Sequence, residues 1–337
     1  MRRRRLLACA AAGAATSGCA VLGPPPQTAA LIAAPPAGLP PRVDLDAVPF
    51  FPQTPFHCGP AALACVLVHQ GYAVTPESLA DQVFLPSREG SLQVEMLSAT
   101  RRAGAVPVRL PGELSALLRE AADAMPAVVL LNLGLSFVPA WHYAVVVGFD
   151  LPAREVLLRS GTTRRMTMSM TTFEHTWHRA GSWAVAAVRP GLLPLTARES
   201  DAADAAAGFE RARAQPEVRG QVHGSVLRRW PDNLVALVGR GTARAAQGDW
   251  PGAAADFDHA AQRHDSAAAW HNLALAQWQL GRTDDARRSA HRALERAEAA
   301  DPQWREAARK LVEQLKLRPS IRPDIHAPRS RACRDRR

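Results

Sequence analysis

The feature that most limits what this chain can fold into is a repeat in its second half. Two stretches align with each other at a spacing of 33 residues. Small residues occupy matched positions in both: Gly241 with Ala274, Gly248 with Gly281, Ala253 with Ala286, and Ala260 with Ala293. Small side chains let paired helices approach closely, and a glycine can make the turn between them. We therefore expect stacked helical hairpins over residues 200–317, with Pro231 and Pro302 between units.

This register resembles that of tetratricopeptide repeats, whose usual period is about 34 residues. Residues 200–230 are then a degenerate preceding unit, and residues 302–317 are a capping helix. Such arrays usually bind peptides or proteins in a concave groove, so a protein partner is expected. The alternative is a stabilising scaffold that binds no partner.

The first residues follow the order of an export signal. Arg2–Arg5 are positively charged, Leu6–Ala15 form a short apolar run, and small residues precede Cys19. This order predicts a signal peptide over residues 1–18. Small residues directly before a cysteine resemble the bacterial lipobox, which implies that Cys19 is lipidated and becomes the mature N-terminus. Thr16 stands where that box usually has leucine, so ordinary cleavage with an incidental cysteine is the alternative.

Export of this kind sets the expected location. In Gram-negative lipoproteins, which this segment resembles, an Asp after the lipidated cysteine commonly retains the protein at the inner membrane; here that residue is Ala20. We expect the periplasmic face of the outer membrane, with membrane contact through the lipid, or otherwise the soluble periplasm. Residues 19–41 are rich in Pro and Ala, which predicts an extended tether. No later stretch is apolar for the roughly 18 residues of a transmembrane helix.

The net charge of +10 is concentrated at the two ends of the chain. Arg2–Arg5 contribute four positive charges and residues 318–337 a further five, which leaves about one for the residues between. A nearly neutral body lacks the basic stripe that nucleic acid requires, so no nucleic-acid partner is expected. The last segment contains three prolines and is expected to be a disordered basic tail. The five cysteines show no CxxC pair, so no metal site, cofactor or disulfide framework is expected.

Residues 42–195 have the pattern of a mixed domain. Predicted helices cover 60–70, 91–104 with Ser91 as N-cap, and 113–123, and predicted strands cover 128–133, 142–149, 155–159 and 183–188. Helices come first and strands follow, which favours an α+β fold with an antiparallel sheet.

The chemistry of this domain is expected at Cys58, directly before the first predicted helix. Free N–H groups and a partial positive charge at a helix N-terminus favour a thiolate, which predicts a lowered pKa and a nucleophilic cysteine. Gln53 lies five residues upstream and could donate its amide to an oxyanion. His142 opens the apolar run 143–149, at the edge of a sheet where a cleft would lie. An imidazole there can take the thiol proton and return it to a leaving amine.

Two motifs carry a family resemblance. Gln-x-x-x-x-Cys-Gly-Pro-Ala-Ala, starting at Gln53, and His-Tyr-Ala-Val-Val-Val-Gly, starting at His142, resemble the bacteriocin-processing peptidases that remove double-glycine leaders, a papain-like group. The resemblance implies a papain-like domain over residues 42–195, with Gln53 as oxyanion donor, Cys58 as nucleophile and His142 as base. The repeats make the chain similar to a free-standing periplasmic subgroup, and the resemblance implies cleavage after small residues such as Gly-Gly.

One position departs from that family. Its members usually have an Asp that orients the imidazole on the strand after the His strand, and Ser160 is the nearest residue here. Asp150 or a backbone carbonyl is the alternative orienting group. Other residues have ordinary explanations: Cys65 belongs to the core, His57 and His69 are incidental, Trp141 is a wall of the cleft, and Met166, Met168 and Met170 pack along a strand.

Two functions therefore remain open. The first is a thiol peptidase that cleaves a peptide bond of a peptide or protein through a thioester at Cys58. The second is a weakly active or inactive binding module that assembles a periplasmic complex through its repeats. The intact Gln53, Cys58 and His142 favour the first, and the missing Asp favours the second.

Overall fold

The computed structural model describes residues 23–53, 57–85, 90–212 and 214–317. The predicted signal peptide (1–18), Cys19 and the predicted basic tail (318–337) lie outside these ranges. Within them, no helix is long and apolar enough to cross a bilayer.

An antiparallel sheet organises the first part of the chain. Its strands are β1 (Arg42–Asp44), β4 (Val106–Arg109), β5 (Ala127–Asn132), β6 (Trp141–Asp150), β7 (Glu155–Ser160), β8 (Thr163–Ser169) and β9 (Ala184–Val188). The order is β4-β9-β5-β6-β7-β8, and β1 pairs with the end of β6. The strands β2 (Phe84–Leu85) and β3 (Gly90–Ser91) form a separate pair. The predicted α+β fold with an antiparallel sheet is confirmed.

Helices cover both faces of this sheet. They are α1 (Pro26–Ala33), α2 (Cys58–His69), α3 (Pro76–Val83), α4 (Gln93–Arg102), α5 (Leu114–Ala122) and α6 (Met170–His178). Side chains alternate along β6, so that Ala144 and Val146 join the core under α5 and α6. Tyr143 and Val145 join the other core, under α2 and α4. This alternation seats α2, which begins at Cys58, against the sheet.

The tether differs from its prediction, because Pro26–Ala33 forms a helix rather than an extended segment. The buried carboxylate of Glu174 accepts hydrogen bonds from the backbone N–H groups of Gln27 and Thr28 and from the Thr28 hydroxyl. Leu31 is buried in the core beside α5 and α6. The start of this helix is therefore held by Glu174, which lies 146 residues away from Thr28 in the sequence. The local composition gives no sign of that contact.

The predicted N-cap at Ser91 is also wrong. Helix α4 begins at Gln93 with Leu92 at the cap position, while Ser91 pairs with Phe84 in β3. A Cβ placed on Gly59 would stand 2.4 Å from the Ser91 hydroxyl oxygen. Ser91 is therefore held against the start of α2 rather than at the start of α4.

The second part of the chain is helical, as predicted. Its helices are α7 (Glu199–Phe209), α8 (Pro216–Arg229), α9 (Leu234–Ala246), α10 (Trp250–His264), α11 (Ala267–Gln279), α12 (Thr283–Ala299) and α13 (Arg305–Leu317). The two aligned stretches are the hairpins α9–α10 and α11–α12. Gly248 and Gly281 occupy their turns at φ +80° and +73°, a conformation that favours glycine.

The helical part packs directly on the first domain. Glu120 of α5 is buried and accepts hydrogen bonds from the N–H groups of Leu195 and Thr196 and from the Thr196 hydroxyl. Phe209 of α7 lies in the same core as Trp177 of α6. The first helices of the repeat region therefore complete the core on one face of the sheet.

We predict that Gly241→Ala lowers the free energy of unfolding by about 1–2 kcal/mol, because overpacking outweighs the gain in helix propensity. A Cβ at Gly241 would stand 2.5 Å from the Phe257 ring. The matched control is Gly224→Ala in α8, where no atom lies within 4 Å of the added Cβ, and this change should raise the free energy of unfolding by up to about 1 kcal/mol. Urea denaturation measures the free energy of unfolding of both variants. Equal changes in the two would contradict the close approach of Gly241 to Phe257.

Candidate active site

Cys58 is the first residue of α2 and is only partly accessible. Burial raises the pKa of its thiol, and hydrogen bonds from the backbone N–H groups of Tyr143 and Gly59 offset part of that effect. The predicted lowering of this pKa is therefore wrong. The helix start does supply N–H groups, but it lies against the sheet, where a thiolate loses more solvation than those groups restore.

His142 is the second residue of β6, and its ring Nε2 lies 2.8 Å from the Ser160 hydroxyl oxygen. Ser160 ends β7 and is buried. Burial lowers the pKa of His142, so the imidazole is neutral near pH 7. When Nε2 carries the proton, Ser160 accepts it in a hydrogen bond and Nδ1 is left as a proton acceptor.

The side chain of Gln53 is fixed on both sides. Its Oε1 accepts a hydrogen bond of 3.0 Å from the Gly161 N–H, and the backbone N–H of Gln53 donates to the Gly161 carbonyl at 2.9 Å. The amide Nε2 then faces the Tyr143 carbonyl at 3.4 Å. Because the N–H of the same Tyr143 bonds to the sulfur of Cys58, the amide donor of Gln53 lies beside the candidate nucleophile.

The structure thus brings the four predicted residues to one end of two neighbouring strands. Cys58 and Gln53 meet at Tyr143, while His142 and Ser160 meet across β6 and β7. Within the described ranges no hydrogen bond joins the Cys58 sulfur to the His142 ring. Catalytic contacts are often long in a free enzyme and shorten when substrate binds.

Asp150 is not the orienting group. It is the last residue of β6, at the opposite end of the strand from His142. There it forms an ion pair with Arg42 at 2.7 Å and accepts a hydrogen bond from the Ala153 N–H. Cys65 lies in the core, as predicted. His69 faces the Ala124 carbonyl at 3.3 Å.

His57 occupies the cap position before α2 and stacks on Phe84, with ring centroids 4.9 Å apart. Trp141 is 57% exposed and precedes His142 on β6. Met166 and Met168 lie in β8 as predicted, but the prediction is wrong for Met170, which begins α6 and is buried there.

Sequence reasoning missed Arg159, the residue before Ser160. Its buried guanidinium donates to the backbone carbonyls of Leu45, Asp46, Val48 and Arg164. It therefore fastens residues 45–48, the start of the segment that leads to Gln53. A single arginine inside the apolar run of β7 is the signal that could have revealed it.

We predict that iodoacetamide labels Cys58 much faster than Cys65, because Cys65 is 2% exposed. The labelling rate of Cys58 should rise with pH to a midpoint above the ordinary thiol value, since burial raises its pKa and the thiolate is the reactive form. Peptide mapping after timed labelling measures both rates. A rate already at its plateau between pH 6 and 8 would indicate a thiolate–imidazolium pair and contradict this account.

Comparisons with known proteins show what the two parts of the chain are similar to. Residues 45–185 match the Peptidase_C39 like family. A solved structure described as a putative C39-like peptidase from Bacillus anthracis is 19% identical, covering 44% of this chain and 98% of that one, with a TM-score of 0.37. The Sgt2 tetratricopeptide-repeat domain from Aspergillus fumigatus is 21% identical, covering 40% and 93%, with a TM-score of 0.29.

None of the curated proteins compared matches the chain. The family match does not single out the double-glycine subgroup. It does span Gln53, Cys58, His142 and Ser160, which lie near the start of β6 and the end of β7. Residues 45–185 of this chain are therefore similar to the Peptidase_C39 like family.

Proposed function

We propose that the first domain is a cysteine-type peptidase with Cys58 as nucleophile and His142 as base. The observation that carries the proposal is that the Cys58 thiol and the amide donor of Gln53 both meet the backbone of Tyr143, the residue next to His142 on β6. A thiol and an imidazole that are both neutral suit general-base activation, in which the proton leaves sulfur as the bond to carbon forms.

The proposed reaction has two halves. His142 Nδ1 takes the thiol proton while the Cys58 sulfur attacks the peptide carbonyl carbon, and the oxyanion is stabilised by Gln53 Nε2 and by N–H groups at the start of α2. The C–N bond then breaks, the leaving amine takes the proton from the imidazolium, and a thioester remains. Water, deprotonated by His142, hydrolyses that thioester to a carboxylic acid and restores the thiol.

We predict that Cys58→Ala abolishes peptide hydrolysis and that Cys65→Ala, a change to a buried cysteine of the same helix, retains it. Mass spectrometry of a pool of synthetic peptides that includes Gly-Gly sequences detects cleavage at whichever bond the enzyme prefers. Cleavage that survives Cys58→Ala would refute the proposal. Circular dichroism checks that both variants are folded. Loss of hydrolysis in two unfolded variants would show only that α2 tolerates neither substitution.

A second candidate is the weakly active or inactive binding module. It is favoured by Ser160, which contacts His142 but brings no negative charge to stabilise an imidazolium. The helical part offers a cleft of about 330 Å³ between α10, α11 and α12, lined among others by Asp258, Trp270, Asp285 and Arg288. A protein or peptide partner with both charge signs would fit this lining.

We predict that Ser160→Asp raises the rate of peptide hydrolysis about tenfold or more, because a carboxylate would both orient His142 and stabilise its protonated form. The pH profile should also shift, since a neighbouring carboxylate raises the pKa of the imidazole. Ser169→Asp is the matched control, placed at the exposed cap of α6. An unchanged rate and profile for Ser160→Asp would mean that its hydrogen bond to His142 plays no part in turnover.

We also propose that the protein is exported and anchored through a lipid on Cys19. The support is the order of charged, apolar and small residues before that cysteine. Two acyl chains hold a protein stably on a membrane, whereas one chain is marginal. Cell fractionation should therefore find the wild-type protein with membranes and the Cys19→Ser variant in the soluble periplasm. A soluble wild-type protein would contradict lipidation.

A further inference from the structure

The exposed apolar side chains of this protein gather at the end of the sheet that holds the candidate site. Seven of the twelve large hydrophobic residues that are exposed within the described ranges lie there. They are Leu92, Val94, Leu133, Leu135, Phe137, Val138 and Trp141, and we call this set the apolar rim. Exposed apolar groups clustered in this way mark an interaction surface.

Most of the rim belongs to the loop between β5 and β6. Residues 133–141 include no charged side chain, and Phe137 and Val138 at the tip are 81% and 63% exposed. Trp141, at the base of the loop, is the residue before His142. Trp and Phe side chains beside aliphatic ones are typical of surfaces that enter the interfacial region of a bilayer.

The loop is held so that these side chains remain in solvent. The buried Asn132 accepts hydrogen bonds from the N–H groups of Gly134 and Ala140 through its Oδ1. The backbones of Leu135 and Val138 bond to each other in both directions. These bonds fix the backbone of the loop in a conformation in which Leu135, Phe137 and Val138 face solvent.

The chain enters the domain at this same end. Arg179, in the turn that follows α6, donates a hydrogen bond to the Asn132 carbonyl. Gly112 packs closely on Ser182 of that turn, so that a Cβ added to Gly112 would stand 3.0 Å from the Ser182 Cβ. Gln27, near the start of α1, donates to the Gly112 carbonyl and accepts from the Leu114 N–H. The segment before α1 therefore joins the domain at the end where the rim lies.

That segment is short. Pro26 comes seven residues after Cys19, and an extended chain of that length spans at most about 25 Å. A lipid at Cys19 would therefore hold the rim close to the membrane, and the helix α1 removes the longer reach that a tether over residues 19–41 would allow.

We propose that the apolar rim rests on a lipid bilayer, with the loop 133–141 inserted at the interface and the candidate site open at the membrane surface. The site then meets peptide segments that lie at or emerge from the bilayer. Since the loop carries no charge, its binding should be hydrophobic, similar for neutral and anionic lipids, and little affected by salt.

The test is co-sedimentation with phosphatidylcholine vesicles. It uses the chain from Ala20 onward, which keeps every described residue and lacks both the apolar signal segment and the lipid. Phe137→Ser with Val138→Ser should weaken binding about tenfold or more, because two apolar side chains no longer enter the interface. The matched control is Leu192→Ser with Leu195→Ser, which replaces two exposed leucines outside the rim and should leave binding unchanged.

Each other outcome contradicts the proposal. No binding by the parent chain, or equal loss in both double variants, would remove the rim as a membrane contact. Binding confined to anionic vesicles and lost in salt would assign it to basic residues such as those of 318–337. Unchanged vesicle binding with a raised KM for an apolar peptide would make the rim a substrate surface. Co-sedimentation needs no turnover, so the vesicle result stands or falls separately from the peptidase proposal.

Discussion

The candidate site depends on three consecutive residues at the end of β7. Arg159 binds the carbonyls of the segment before Gln53, Ser160 contacts the His142 ring, and Gly161 holds the backbone and side chain of Gln53. Because these contacts come from one short piece of backbone, they fix the candidate base and the candidate amide donor relative to each other. The candidate nucleophile, Cys58, joins them through Tyr143, the neighbour of His142 on β6.

Burial sets the protonation state of this site. The start of α2 offers N–H groups to the Cys58 sulfur, yet packing against the sheet raises the pKa of the thiol. The same surroundings lower the pKa of His142, and the hydroxyl of Ser160 adds no charge to restore it. Both pKa shifts favour a neutral thiol and a neutral imidazole, so the proposed reaction requires the proton to move during attack on the substrate.

The sequence carried the parts of this site that depend on spacing. A Cys-Gly-Pro at a helix start, a Gln five residues upstream and a His opening an apolar strand were enough to select three residues that lie near the start of β6. It could not reveal contacts between distant segments, such as Glu174 with Thr28 or Arg159 with Val48. It also missed the sign of the Cys58 pKa shift, because the balance between helix N-terminus and burial depends on what packs over the sulfur.

In the proposed reaction, Cys58 forms an acyl bond during hydrolysis of a peptide. Intact-mass spectrometry after rapid acid quenching of the protein with a cleaved peptide detects such a bond. We expect a transient adduct with the mass of the N-terminal acyl fragment, mapped to the peptide that contains Cys58 and released by hydroxylamine. Peptide cleavage with no adduct at that cysteine on any quenching time, or an adduct on another residue, would contradict the proposed reaction.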